Sequence, residues 1–390
     1  MKDSTGLRPD AQHDAPSPAQ PTTQPTAQHD AQPTAQPTRA QQAYANRVFP
    51  NAQGALTGVA IGDALGMPTQ SMSAAQIAHY YGGPVTGLMD AVPEQPIAPN
   101  MKAGAVTDDT EQAFLLAHRL LADEGAIDTL GYANDLLAWE QRMKDRGSLD
   151  LLGPSTKAAL HALQDGIPAE RTGLNGTTNG GAMRAAPVGI AFAPYAPGRA
   201  LARAARRSCI VTHNTEQGIE ATTLVAAAVS FGVEGEDCPL ERAAEFVEEI
   251  PERGHWTAKA SVLARTHWLL DWATEGRGRT LSDDAFADFL RDSTGTSVEA
   301  NESVPVAFAI AARFFDRPMA ALKFAASIGG DTDTIGAMCG AMLGAAHTAS
   351  AFDPAIRTQV VDQLRADNGL DVDTTARGLC ALRARTRGED

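Results

Sequence analysis

Basic side chains are in deficit: the chain holds 32 Lys and Arg against 47 Asp and Glu, a net charge of −15. Residues 1–50 carry four of each sign, so the acidic excess falls on the rest. That balance argues against non-specific binding to nucleic acid or to an anionic membrane, and leaves room for a small phosphorylated ligand. Cysteine is scarce as well. Cys209, Cys238, Cys339 and Cys380 lie far apart and form no Cys-x-x-Cys pair. A zinc site or a disulfide framework is not expected, and a reducing cytoplasm fits. No apolar run is long and charge-free enough to span a membrane. No apolar segment follows Lys2, so a secretory signal is not expected. Clean alternation with β-branched or aromatic enrichment is missing too, which removes the usual signal for strands.

What is present is helical periodicity behind a polar leader. Residues 1–46 repeat Ala-Gln-Pro-Thr at 31–34 and 35–38, and Ala-Gln-His-Asp at 11–14 and 27–30. Such a stretch buries too little apolar surface to offset its ordering entropy, so it is expected to be a disordered tail. Residues 47–390 are expected to form one all-α domain. Gly54, Gly58, Gly62 and Gly66 fall every four residues on one face of a first helix. Glycine inside a helix costs about 1 kcal/mol relative to alanine, so four in a row imply close approach by another element. Asp63 lies among them, as a candidate for the site interior or as a carboxylate accepting backbone hydrogen bonds. Residues 68–106 read as a long irregular connection. Trp256, Trp268 and Trp272 fall at helical spacing and read as core.

Two acidic stretches carry the chemical signal. Ile328-Gly329-Gly330-Asp331-Thr332-Asp333-Thr334 opens onto the apolar run Ile335 to Ala346, which reads as a buried helix. Charges at the mouth of a buried helix must be paired or bound to metal. Thr107-Asp108-Asp109-Thr110 opens a second helix in the same way. All-oxygen sets of this kind suit Mg²⁺, Mn²⁺ or Ca²⁺ rather than zinc. The spacing alone leaves two readings open: one shared metal site, or two unrelated capped helix N-termini.

Four motifs occur in order: Gly62-Asp63-Ala64-Leu65-Gly66, Thr107-Asp108-Asp109-Thr110, Asn179-Gly180-Gly181-Ala182-Met183-Arg184 and Gly329-Gly330-Asp331-Thr332-Asp333-Thr334-Ile335. Together they resemble the ADP-ribosylglycohydrolase family, which includes the dinitrogenase-reductase-activating glycohydrolases. The resemblance covers roughly residues 54–347. It implies a compact all-α domain with two Mg²⁺ or Mn²⁺ ions in a central cleft. By position, the metal ligands are Thr107, Asp108, Asp109, Asp331, Asp333 and Thr334. Asp63, Gln70, Asn179, Gly180, Gly181, Met183 and Arg184 are assigned to the ligand cleft, with a structural role for Arg184 the stronger reading.

The implied reaction is hydrolysis of a ribosyl glycosidic bond, with ADP-ribose on a modified protein or other acceptor as substrate and a monomer as the expected state. Some members of the family place an acid seven positions after the aspartate of the first motif; here that position is Gln70, which cannot act as a base. Asp150, in a segment resembling a second source of the acid, is therefore the candidate general acid or base, with Asp109 as the other catalytic carboxylate. Hydrolysis of free nucleosides or small ribosyl metabolites is the alternative within enzymes. A non-catalytic module that binds ADP-ribose or a nucleotide is the alternative outside them.

Overall fold

The glycine ladder finds its partner at the other end of the chain. The structure, a computed structural model, describes residues 36–148, 152–251 and 253–388. In it the Arg39–Gly66 helix packs along the Thr332–His347 helix, which repeats the same spacing with Gly336, Gly340 and Gly344. A Cβ at Gly58 would lie 1.9 Å from the carbonyl oxygen of Gly340, and one at Gly340 would lie 1.9 Å from that of Gly58. No side chain fits between these backbones. The ladder ends at the acidic motif, where a Cβ on Gly66 would lie 2.4 Å from Asp333 Cα. Helix contact therefore sets where Asp333 stands relative to Asp63.

Around this pair stand the Glu216–Glu234, Ala300–Arg313, Pro318–Ser327 and Val372–Thr386 helices. Glu216–Glu234 is buried on every face from Gln217 to Val233, which its Ala-, Val- and Thr-rich sequence permits. Among the described residues there is no strand, only three isolated bridges: Met72 with Gly330, Thr178 with Glu299 and Thr215 with His255. The all-α expectation holds. Among the described residues no helix is long and apolar enough to cross a membrane.

Several expectations need correction. The first helix starts at Arg39, inside the stretch assigned to the tail, because Thr38 and Gln41 form a capping box. Residues 1–35 lie outside the described residues. The connection 68–106 contains a helix, Ala74–Tyr81, capped by Ser73 and Gln76 and closed by Gly82 in the left-handed region. A further helix, Val372–Thr386, closes the chain. Its Arg383 is fully buried and donates to Glu234, Tyr44 and the carbonyls of Gly189, Ile190 and Phe192, so this helix is tied to three others. The tryptophans are not a shared core. Trp256 is 68% exposed on a non-helical segment and Trp268 is 45% exposed; Trp272 stacks on Phe289 and Phe286.

Candidate active site

Asp63 is the innermost group. It is fully buried and accepts from the backbone N–H groups of Thr107 and Thr110 at 3.0 and 3.1 Å, and from both threonine hydroxyls. It thus anchors the start of the Asp108–Ala122 helix. That is the carboxylate-to-backbone reading of Asp63, and the contact brings the second motif onto the first helix. Burial pushes Asp63 up to about 7, against the pull of its donors.

The fourth motif is set by a backbone clamp. Gly330 exchanges hydrogen bonds with the other side of the site, donating to Met72 O at 2.9 Å and accepting from Ser71 N at 2.7 Å. Asp331 N donates to Thr296 O at 2.7 Å. Gly330 has φ +85°, and a Cβ there would lie 2.3 Å from Thr296 O, so only glycine fits on both counts. The chain then turns into the Thr332–His347 helix with Asp333 and Thr334 in its first turn.

The two acidic stretches meet at Asp109, which is 1% exposed. Thr334 Oγ1 and Thr107 Oγ1 both lie 3.2 Å from Asp109 Oδ2, while Asp109 Oδ1 has no hydrogen-bond partner. Thr107 has one hydroxyl proton, and Asp63 Oδ1 is closer to it at 2.9 Å. With the proton there, Thr107 turns a lone pair toward Asp109, an arrangement that a proton on Asp109 or a cation between the oxygens satisfies. Burial pushes Asp109 well above the usual carboxylate range, and the neighbouring Asp333, Asp108, Asp63 and Asp331 push it further. Burial likewise raises Asp331 to about 6. Among the described residues no three carboxylate, imidazole or thiolate side chains are already gathered in ligating geometry. The set is instead carboxylates joined by hydroxyls, which is the donor chemistry of a hard divalent cation.

The third motif lies beside this centre. Asn179 gives its two amide protons to Asp331 Oδ2 at 2.5 Å and Ser303 Oγ at 2.9 Å. A Cβ on Gly180 would meet the His213 ring at 3.0 Å, and one on Gly181 would meet Thr222 Oγ1 at 2.4 Å. Met183 is buried. Arg184 is 2% exposed and bonded to Gln112 and Thr212, so it faces protein groups, as its structural reading expects. His213 is fully enclosed, with Nδ1 2.7 Å from Thr212 Oγ1 and Nε2 2.9 Å from Thr178 Oγ1; burial holds it far down, at about 3, and therefore neutral. Gln70 is buried, its carbonyl accepts from Gln95, and its Nε2 has no partner. Asp150 lies outside the described residues. An open cavity of about 600 Å³ adjoins Thr107 and Glu111, bordered by Met101, Met143, Arg146 and Asn368.

Sequence reasoning named Thr110 only as part of its motif, with no role, and overlooked Gln112 and Ser303. Gln112 had a signal: it stands four residues after Asp108, where glutamine and aspartate meet on one helix face.

Known proteins share the sequence and the fold of this chain. The chain is 31% identical to the Escherichia coli (strain K12) protein YegU across 85% of this chain and 96% of that one. It is 27% identical to the Bos taurus ADP-ribosylhydrolase ARH3 across 78% of this chain and 86% of that one. A solved structure described as an ADP-ribosylglycohydrolase-related protein complex shares the fold, with a TM-score of 0.62, 23% identity, and coverage of 87% and 99% of the two chains. The sequence model of the ADP-ribosylglycohydrolase family matches residues 42–388. The chain belongs to the ADP-ribosylglycohydrolase family and is a glycosidase of that type.

Proposed function

We propose that this enzyme removes ADP-ribose from a modified protein or other acceptor by hydrolysing the ribosyl C1 bond, with two Mg²⁺ or Mn²⁺ ions held by Thr107, Asp108, Asp109, Asp331, Asp333 and Thr334. The observation that carries the reading is the meeting of both acidic motifs at Asp109, with hydroxyls from Thr107 and Thr334 on one carboxylate oxygen. When bound, such ions would orient the ribose hydroxyls and lower the pKa of a water molecule.

The chain's own groups do the rest. Asp63 positions Thr107, and Asn179 positions Asp331. The acidic centre stabilises the positive charge that develops at C1 in an oxocarbenium-like transition state. We assign proton transfer at the leaving atom to Asp150. The cavity beside Thr107 gives the acceptor room.

Turnover of ADP-ribosylated peptides and of free nucleosides, measured on metal-stripped protein with and without Mn²⁺, tests this reading. Release of ADP-ribose only with metal, abolished in Asp150→Asn while ligand binding survives, supports it. Binding of ADP-ribose with no ribosyl product from any substrate contradicts it. Gln70 favours a second reading, hydrolysis of free nucleosides: it stands where some family members carry an acid, and its buried Nε2 has no acceptor in the protein and is free to donate to a small leaving group.

A further inference from the structure

Gln112 belongs to neither acidic motif, and no role above uses it. It lies one turn after Asp108 and is 1% exposed. Its Nε2 donates to Asp108 Oδ2 at 2.8 Å, and its Oε1 accepts from Arg184 Nη1 at 2.9 Å. The amide has only one workable orientation. An ionised carboxylate can only accept and a guanidinium can only donate, so a flipped Gln112 would lose both bonds. Arg184 is itself held in place. Its Nη2 donates to Thr212 Oγ1 at 3.0 Å, and its guanidinium lies 5.4 Å from the centre of the Tyr132 ring. A buried polar chain thus runs from Asp108 through Gln112 and Arg184 to Thr212 and His213.

The interposed amide has a physical sense. A direct arginine–carboxylate pair would also orient Asp108, but it would cancel the charge that a cation needs. An amide relays the orientation and part of the polarisation while the full negative charge stays on the carboxylate. Partners of this kind, one bond behind a metal ligand, commonly tune affinity by 10–100-fold.

We propose that Gln112, oriented by Arg184, is a positioning residue that holds the Asp108 carboxylate in its ligating rotamer. The proposal rests on the divalent-cation reading of Asp108 given above. It requires that Gln112 act through Asp108, not by filling space in the buried region.

Calorimetric titration of the metal-stripped full chain with Mn²⁺ alone separates these roles. Gln112→Met keeps the volume and removes both ends of the bridge. Gln112→Asn keeps an amide but is too short to span from Arg184 to Asp108, and serves if the methionine variant does not fold. Each is expected to weaken Mn²⁺ binding about 10-fold or more. Leu116→Val disturbs the packing one turn further along the same buried helix face and leaves the polar chain from Arg184 to Asp108 intact, so its Mn²⁺ affinity is expected to match wild type. Wild-type affinity in the Gln112 variants, or an equal loss in Leu116→Val, overturns the proposal. Failure of the wild-type chain itself to bind Mn²⁺ overturns the cation reading and this inference with it.

Discussion

Thr334 Oγ1 lies 3.2 Å from Asp109 Oδ2 although 225 residues separate them. This contact joins the two acidic motifs and brings a buried carboxylate among others of its own sign. On the proposed reading, a bound cation would relieve that repulsion. Sites selected for binding commonly cost stability in this way.

Asp109→Asn is therefore expected to have opposite effects on stability and function. The change removes a buried acid whose ionisation is opposed by burial first and then by Asp333, Asp108, Asp63 and Asp331. Without metal, the variant is expected to be more stable by about 1 kcal/mol, roughly 2 °C in melting temperature. Mn²⁺-dependent stabilisation and turnover are both expected to vanish. Melting curves with and without Mn²⁺ check both halves.

Gly58→Ala tests the helix pair beneath the site. A Cβ there meets the Gly340 carbonyl, which cannot rotate away, so the helices must separate. Overpacking of this kind costs about 1–3 kcal/mol, and here the backbone on both sides sets the upper end. Gly87→Ala, where a Cβ would meet nothing within 4 Å, is the matched control and is expected to be near neutral. Denaturant unfolding of the two variants gives the comparison. Because the ladder ends against Asp333, Gly58→Ala is also expected to lower Mn²⁺ affinity.

The buried anchor of the C-terminal helix gives a pH dependence. Burial works against a charged Glu234, yet Arg383, Tyr44 and Arg47 outweigh it and hold the carboxyl below its ordinary value of 4.5. A depressed carboxyl contributes stability that is full above the unfolded-state value and is lost as pH falls through the folded-state value. Wild type is therefore expected to lose stability between about pH 4.5 and the lower folded-state pKa. Glu234→Gln is expected to be less stable at neutral pH by about 2 kcal/mol, with the gap closing over that acid range. Urea unfolding of both proteins from pH 3 to pH 6 checks the sign.

Much of this was legible in the sequence for identifiable reasons. Glycines spaced by four at Gly54 to Gly66 can only mean close backbone contact, and the contact is there. Hydroxyl and carboxylate oxygens at two helix starts left open a shared centre or two unrelated caps, and the contacts at Asp109 bring the two stretches together. The Ala74–Tyr81 helix stayed hidden because it is eight residues long among Gly and Pro, although Ser73 and Gln76 were a readable cap. The Val372–Thr386 helix stayed hidden because Arg383 reads as a surface charge, while in the fold its guanidinium is enclosed by Glu234 and carbonyl oxygens. Trp256 shows the limit of periodicity: the spacing to Trp268 is helical, but the helix starts only at Val262.

Anomalous scattering at the manganese edge, from crystals of metal-stripped protein soaked in Mn²⁺, tests the central claim most directly. The account predicts two peaks about 3.5–4 Å apart. They lie among Thr107, Asp108, Asp109, Asp331, Asp333 and Thr334, with Asp108 and Asp333 both in contact with metal. One peak, or none that touches Asp108 and Asp333 together, would contradict it.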